Sequence, residues 1–289
     1  MYVVAVLAAF ITSLSPLGGM IFTLAYGGKY RENITRFLTV FLATGILLFI
    51  TKIVDVVTFT DIFLGVGIAA AIYFFVLRKT GNYLFSILAA YGFDAIIAII
   101  KKIAFGSIIL DNINIALNTY QKLMESSFQN NPEQMDLGLQ LMETTRQIFE
   151  QYYVGIWMLS IIVGLYLGTL IISKNSEIKW QHRFIQLQYE SIYFVIAALI
   201  LFVIPKWRIL GMNALLILAP LFLIEGISIL DFYWGDFFKK TKFLLFLLII
   251  SMVFNYFILS LIALIGLLDI WFDFRKIRNT EDIDETNSS

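Results

Sequence analysis

Apolar runs of about 18 to 25 residues, the length of a membrane-spanning helix, recur along most of this chain. The runs are continuous and lack the alternation of barrel strands, so helices are favoured over a transmembrane barrel. Charged residues make up 15 % of the 289 residues, whereas soluble domains carry about a quarter. The sequence therefore predicts an all-α fold, a polytopic transmembrane helical bundle.

The apolar segments predict about eight spans, or 7–10 depending on how the first and last segments divide. The segments are 2–27, 36–54, 60–77, 82–104, 151–173, 184–204, 209–234 and 242–272. Ser15-Pro16-Leu17-Gly18-Gly19 interrupts the first segment, which is either one kinked span or two short helices. The last segment is either one tilted helix or a pair of short helices, and we favour the pair.

One long polar interval, residues 106–150, separates the two apolar halves of the chain. Its six acidic residues face only two basic ones: Asp111, Glu125, Glu133, Asp136, Glu143 and Glu150 against Lys122 and Arg146. Apolar residues recur within it at helical spacing, which predicts an amphipathic helical hairpin outside the bilayer. We therefore expect N-terminal membrane helices (1–105), an extracytoplasmic cap (106–150), C-terminal membrane helices (151–272) and a cytoplasmic charged tail (273–289).

The positive-inside rule orients this array. The basic links 28–36, 78–82, 174–183 and 239–242 lie on one side of the predicted spans, and the acidic cap lies on the other. We expect the basic links to be cytoplasmic, which places the cap outside.

Several function classes are disfavoured by composition. The chain has no cysteine, one histidine and a formal net charge of zero, so we expect no metal site, no cofactor and no nucleic-acid partner. No Walker loop, HExxH or GxSxG motif occurs. We expect that the protein is not an enzyme.

Polar residues within the predicted spans are the best pointers to a site, because burying them in a membrane is costly. The candidate ligand-binding residues are Asp94, Glu225, Asn213 and Asn255. Each could instead form a structural hydrogen bond between helices. An acid at the depth of Asp94, near the middle of its span, could carry a proton, meet a cationic ligand group, or pair with Lys52 or with an asparagine.

Two short motifs resemble the YybS-like family of bacterial multi-pass membrane proteins. One is Leu223-Ile224-Glu225-Gly226-Ile227. The other runs from Gly266 to Lys276, with Gly266, Asp269, Asp273 and Arg275 as its marked positions. The early Ser15-Pro16-Leu17 break and the Tyr26-Gly27-Gly28 boundary also look like that family. The resemblance implies a protein of the bacterial cytoplasmic membrane and supplies no activity.

Residues 1–173 are more distantly similar to the substrate-binding S components of energy-coupling-factor vitamin transporters. The similarity lies in a short first helix with Ala5 and Ala9, a Pro/Gly break and four further spans. It implies that the small-residue stripe Ala5, Ala9 and Ser13 docks a coupling subunit. The C-terminal membrane half and the large hairpin depart from that pattern and put classical vitamin uptake in doubt.

Two functions fit these observations. The first is an S-component-like protein that binds a small molecule or lipid, or a membrane partner, and acts in transport or as an accessory subunit. The second is a non-transporting membrane scaffold or signalling partner. Expected partners are the lipid bilayer, a membrane protein or a second copy of the chain, and a small-molecule or lipid ligand.

Overall fold

Helices form every regular element of this computed structural model, which describes residues 1–29, 33–127, 132–174, 176–178, 180–241 and 255–277. These residues belong to two compact units, Met1–Lys179 and Trp180–Ser289. The first unit contains α1 (Tyr2–Leu14), α2 (Pro16–Lys29), α3 (Ile34–Ile50), α4 (Val56–Thr80), α5 (Tyr83–Ser127) and α6 (Pro132–Lys174). The second contains α7 (Ser191–Val203), α8 (Arg208–Lys240) and α9 (Tyr256–Phe272), with 3₁₀ turns at His182–Phe184 and Pro205–Trp207.

Four of the described helices, α4, α5, α6 and α8, are long and apolar enough to cross a membrane. Four shorter apolar helices accompany them: α1, α3, α7 and α9. The prediction of an all-helical fold is confirmed for the described residues, and the four long apolar helices are consistent with the predicted membrane bundle. The count of about eight spans stays a prediction, and residues 242–254 of the last apolar segment lie outside the described residues.

The first apolar segment consists of two short helices. Ser15 has extended backbone angles (φ −158°, ψ 114°) and separates α1 from α2, and Pro16 begins α2. The 13 residues of α1 extend about 20 Å, less than the roughly 30 Å hydrocarbon core of a bilayer. Of the two interpretations left open by the sequence, the pair of half-helices is the one that forms.

The polar interval forms the helical extensions of α5 and α6. Both helices kink at its edges, where Phe105 (φ −126°, ψ 19°) and Tyr152 (φ −116°, ψ 18°) leave the helical conformation. The two extensions pack on each other, with Met124 of one against Gly138 of the other. The polar interval therefore forms two helical extensions that pack on each other, whereas the domain boundaries at 106 and 150 and the extracytoplasmic position stay predictions.

Within the first unit, α2 packs against α6 through two glycines one helical turn apart. A Cβ atom on Gly164 would come within 2.9 Å of Met20, and one on Gly168 would come equally close to Leu24. Small residues at this spacing let helix backbones approach closely in membranes.

In the second unit, α8 packs against both α7 and α9. Gly226 of α8 and Gly266 of α9 mark the crossing point of α8 with α9. A Cβ atom on Gly226 would overlap the Ile262 carbonyl, and one on Gly266 would overlap the Phe222 carbonyl. Only glycine permits so close a contact between the two backbones.

Candidate functional site

A buried ion pair in the first unit joins α4 to α5. The Lys101 ammonium donates to the Asp61 carboxylate, with the lysine 1 % exposed and the Asp61 side chain 13 % exposed. Charges taken out of water in this way are costly and persist only when well paired. Because the two residues come from separate helices, the pair ties α4 to α5 inside the apolar part of the unit.

Aromatic side chains of α6 enclose this ion pair. The Trp157 indole N–H donates to Asp61 Oδ1 at 3.0 Å. Lys101 Nζ also lies 4.5 Å from the Trp157 ring centroid and 5.3 Å from that of Tyr153, both within cation–π range. The ring faces replace part of the hydration that Lys101 loses on burial.

The backbone of α4 is π-helical from Asp61 to Ile68. Such segments are rare and are frequent at functional sites. Gly65 lies within this segment, where an added Cβ atom would come within 2.8 Å of the Trp157 ring. The glycine thus leaves room for the indole that donates to Asp61.

Asp94 lies on the same face of α5 as Lys101, seven residues and about 10.5 Å earlier along the helix. It is fully buried, and neither carboxyl oxygen has a hydrogen-bond partner among the described residues. Asp61 and Lys101 are close enough to act on it electrostatically. Pairing of Asp94 with Lys52 or an asparagine, one of the possibilities raised by the sequence, is not observed among the described residues.

A groove of about 330 Å³ opens beside this cluster, between the two hairpin extensions and the start of α4. Its walls are mostly apolar, and its polar groups come from Asn112 and Thr145. Tyr153 lines the groove and also lies over Lys101, so one ring belongs to both the groove and the ion pair.

Asp55 lies at the edge of this groove as the N-cap of α4. Its carboxylate accepts from the Thr58 backbone N–H at 2.7 Å and from Asn112 Nδ2 at 2.6 Å. Partial burial opposes ionisation of Asp55, but these hydrogen bonds outweigh it and hold its pKa below the usual value. A negative charge therefore stands at the groove entrance and orients Asn112.

The second unit has its own buried charge cluster, centred on Arg275. Its guanidinium donates to Asp269 Oδ2 at 2.7 Å and lies 3.7 Å from Glu225 Oε1, with all three side chains fully buried. It also donates to Ser228 Oγ and to the carbonyls of Arg183 and Ile185. Arg275 thereby fastens the 182–187 link to α8 and α9.

Glu225, a sequence-predicted site residue, belongs to this cluster. Its Oε1 atom accepts from the Leu187 backbone N–H at 3.3 Å as well as facing Arg275. Asp94 and Glu225 lie in different units and are described separately. The surroundings of Glu225 are those of a carboxylate that holds a backbone segment in place.

The C-terminal family-like motif is explained by this packing. Gly266 allows α9 to cross α8, and Asp269 accepts from Arg275 and from the Phe274 backbone N–H at 2.8 Å. Asp273 has a left-handed backbone (φ 41°) and accepts from Gln186 Nε2 at 3.2 Å. The two resembling motifs, 223–227 and 266–276, therefore meet in space, and residues 278–289 of the predicted tail lie outside the described residues.

The link before α7 carries a second set of polar contacts to α8. His182 Nδ1 lies 3.3 Å from Asp231 Oδ2, and Arg183 pairs with Asp231 and with Asp236. Burial favours the neutral imidazole and outweighs the pull of Asp231, so the pKa of His182 is lowered from its usual value.

The remaining sequence-predicted residues have local contacts. Asn213 Nδ2 donates to the Ile209 carbonyl one turn earlier in α8, and Asn255 caps α9 by accepting from the Phe257 backbone N–H at 3.0 Å. Ala5 and Ala9 are fully buried within the first unit. Ser13 donates to the Phe10 carbonyl. Docking of a coupling subunit on this stripe stays a prediction, and it would require the packing around α1 to open.

Sequence reasoning missed Asp61, Lys101, Trp157 and Tyr153. A signal was present, because Asp61 and Lys101 are opposite charges at the same predicted end of neighbouring spans, 60–77 and 82–104. Each residue by itself looked like a boundary charge, and only the pairing of α4 with α5 makes them a site.

Comparison with models of protein families, with curated proteins and with solved structures finds no match for this chain.

Proposed function

We propose that this chain is a YybS-like protein of the bacterial cytoplasmic membrane that binds a small amphipathic molecule or lipid beneath the 106–150 hairpin. It acts in transport or as an accessory subunit, and not as an enzyme. The hairpin and groove lie on the extracytoplasmic side, with the basic links inside. The observation that carries the proposal is the groove itself, joined by Tyr153 to the buried Asp61–Lys101 pair.

The groove has the size and lining of a ligand site. Small-molecule sites commonly enclose about 300–1,000 Å³ within mostly apolar walls that carry a few polar groups. Here the apolar walls suit a hydrocarbon body. A polar end would meet the Asn112 amide, which also donates to Asp55, and the oxygen of the Thr145 hydroxyl, whose proton is donated to the Leu141 carbonyl. A ligand that displaces the Tyr153 ring would also uncover Lys101.

Two further observations support transport as the setting. The first apolar segment is broken into two half-helices, and α4 contains a π-helical segment at Asp61. Irregular helices within membranes are tolerated where they line a cavity, and they are frequent around substrate sites of transporters.

Native mass spectrometry of the gently extracted protein tests the binding function. We expect wild type to carry a defined small molecule or lipid, and we expect Ala116→Trp to lose it because Ala116 lines the groove. Ile115→Trp is the matched control, since the neighbouring Ile115 is 64 % exposed and does not line the groove. An empty wild-type protein, or a ligand retained in Ala116→Trp, would contradict the proposal.

A second function, a scaffold for another membrane polypeptide, is favoured by one observation. The hairpin exposes large apolar side chains on both extensions, including Leu123 (60 %), Leu137 (59 %) and Leu141 (60 %). Exposed apolar surface of this kind often marks a contact with a protein or a membrane. The scaffold predicts a co-purifying polypeptide that is lost in Leu137→Glu while the groove variant Ala116→Trp retains it.

A further inference from the structure

We propose that Asp94 and Asp61 share one proton around Lys101, with the proton on Asp94 in the state described by the structure. Asp94 is then a proton-binding site within the membrane part of the first unit. Its link to ligand binding in the groove rests on the proposed function, whereas the proton site itself does not.

The cluster around Lys101 draws its titratable groups from α4 and the residue that caps it, from α5 and from α6. These groups are Asp55, Asp61, Asp94, Lys101, Tyr91 and Tyr153, and Lys102 lies 6.0 Å from the Tyr153 ring centroid. Lys101 supplies the positive charge, and its ammonium is engaged by Asp61. An ionised Asp94 would therefore be a second buried anion competing for a cation that is already paired.

Among the described residues, no group other than Lys101 is seen to stabilise a negative charge on Asp94. It is fully buried, and both carboxyl oxygens lack a hydrogen-bond partner among the described residues. A buried, unpaired carboxylate is far more costly than a neutral carboxylic acid, so the group avoids ionisation by holding a proton. Glu225 shows the opposite arrangement, since Arg275 and the Leu187 N–H face its carboxylate.

Lys101 pairs with Asp61 of α4 and lies two helical turns after Asp94 on the same face of α5. Side chains on a helix point back toward its N-terminus, so Lys101 extends along α5 in the direction of Asp94. Lys101 carries the proton: an N–H bond of its ammonium breaks as an O–H bond forms on Asp61, and the O–H bond of Asp94 breaks as its proton passes to the Lys101 amine. Lys101 is protonated before and after the transfer, and the three groups carry zero net charge in both states.

The direction of this transfer has a consequence for the groove. Asp94 is fully buried, whereas the Asp61 side chain is 13 % exposed and pairs with Lys101, which lies 5.3 Å from the ring centroid of the groove-lining Tyr153. A proton that moves from Asp94 to Asp61 therefore moves toward the groove. If a ligand draws Lys101 away from Asp61 when it binds, the proton changes its position at the same time.

Thermal unfolding across pH tests the proton on Asp94. In the unfolded chain an aspartate ionises near pH 4, so at pH 7 a protonated native Asp94 takes up a proton on folding, which lowers stability. Asp94→Asn removes this cost and should raise Tm at pH 7, and the gain should shrink as the pH falls toward about 4. Glu225→Gln is the matched control and should lower Tm at pH 7, because Arg275 then loses a facing carboxylate.

Infrared spectroscopy gives a second, independent reading of the same proton. Wild type at pH 7 should show the carbonyl stretch of a protonated carboxylic acid, and Asp94→Asn should lose that band. Asp61→Asn should lose it as well, because Lys101 is then free to pair with an ionised Asp94.

The proposal fails if Asp94→Asn lowers Tm at pH 7 as Glu225→Gln does, or if the band survives in Asp94→Asn. A band that disappears in Asp94→Asn and persists in Asp61→Asn would refute the sharing with Asp61. None of these measurements needs a bound ligand. The proton proposal can therefore hold when native mass spectrometry finds the groove empty, and it can fail when the groove is filled.

Discussion

At the scale of single residues, the two buried acids Asp94 and Glu225 differ in what surrounds them. Glu225 faces a guanidinium and a backbone N–H, whereas Asp94 has no hydrogen-bond partner among the described residues. Both carboxyl groups are fully buried, yet one acid holds a backbone segment and the other belongs to a cluster whose cation is already paired. The surroundings, and not the residue type, distinguish the two acids.

Removing the cation of the first unit should be strongly destabilising. Lys101→Met leaves Asp61 buried with its Trp157 hydrogen bond but without an opposite charge, and breaking a buried pair in this way costs about 3–5 kcal/mol. Denaturant unfolding in detergent, followed by circular dichroism, measures the loss. Lys102→Met is the matched control. The neighbouring Lys102 donates to an exposed carbonyl and lies 6.0 Å from the Tyr153 ring centroid, at the outer limit of cation–π range, so its loss should change stability little.

A double variant separates the buried charge from the loss of packing. Adding Asp61→Asn to Lys101→Met removes the stranded carboxylate and should recover part of the stability. If the double variant is no more stable than Lys101→Met, the uncompensated charge is not the cause of the loss.

The pH dependence of the second unit should involve His182. Its pKa is lowered in the folded protein, so the native state disfavours the protonated ring. The contribution of His182 to the free energy of unfolding is therefore fully present above pH 6.5, the pKa of a histidine in the unfolded chain. This contribution decreases as the pH drops below that value. Thermal unfolding between pH 7.5 and about 5 should show the decline, and His182→Gln should flatten it. An equally steep decline in His182→Gln would assign the effect to other groups.

At the scale of elements, glycines set how closely the helices pack. Gly226 and Gly266 bring the backbones of α8 and α9 into contact, which places Glu225 and Asp269 where Arg275 reaches both. The spacing of the two helices therefore determines whether the charge cluster forms. A bulkier residue at the crossing point would separate the acids from their common cation.

We expect Gly266→Ala to destabilise the second unit by about 1–3 kcal/mol, because the new methyl group would overlap the Phe222 carbonyl and the Gly226 backbone. Gly92→Ala is the control. It lies in a helix with open space around it, so the same change should be neutral or stabilising by up to about 1 kcal/mol. Unfolding measurements on both variants test the pair, and a similar response at the two positions would contradict the crossing-point role.

At the scale of the whole molecule, the distribution of charge along the chain predicts a topology. The formal net charge is zero, but basic residues collect in the links and acidic residues in the 106–150 hairpin. Since Lys and Arg favour the cytoplasmic side of spanning helices, the hairpin should be external and the 174–183 link internal.

The absence of cysteine makes this topology directly testable. A cysteine at position 120, where Tyr120 is 59 % exposed, should react with an impermeant thiol reagent added to intact cells. A cysteine at position 180 should react only after the membrane is permeabilised. Labelling of position 180 from outside would reverse the orientation.

Part of the candidate site could be predicted from the sequence. Charges inside apolar runs are conspicuous, so Asp94 and Glu225 were identified one residue at a time. Asp61 and Lys101 were not, because each falls near the end of an apolar run and resembles an ordinary boundary charge. Asn255 was a candidate ligand-binding residue, and the structure shows it as the N-cap of α9, which sequence spacing did not reveal.

The sequence alone determined that the chain is helical, apolar and interrupted by one polar hairpin, because run length and polarity depend only on consecutive residues. The kinks at Phe105 and Tyr152, near the two ends of the polar interval, were not predicted. Only the tertiary structure decided which charges meet. Asp61 pairs with Lys101 and Arg275 with Glu225 and Asp269, since such contacts depend on which helices pack together and how closely their backbones approach.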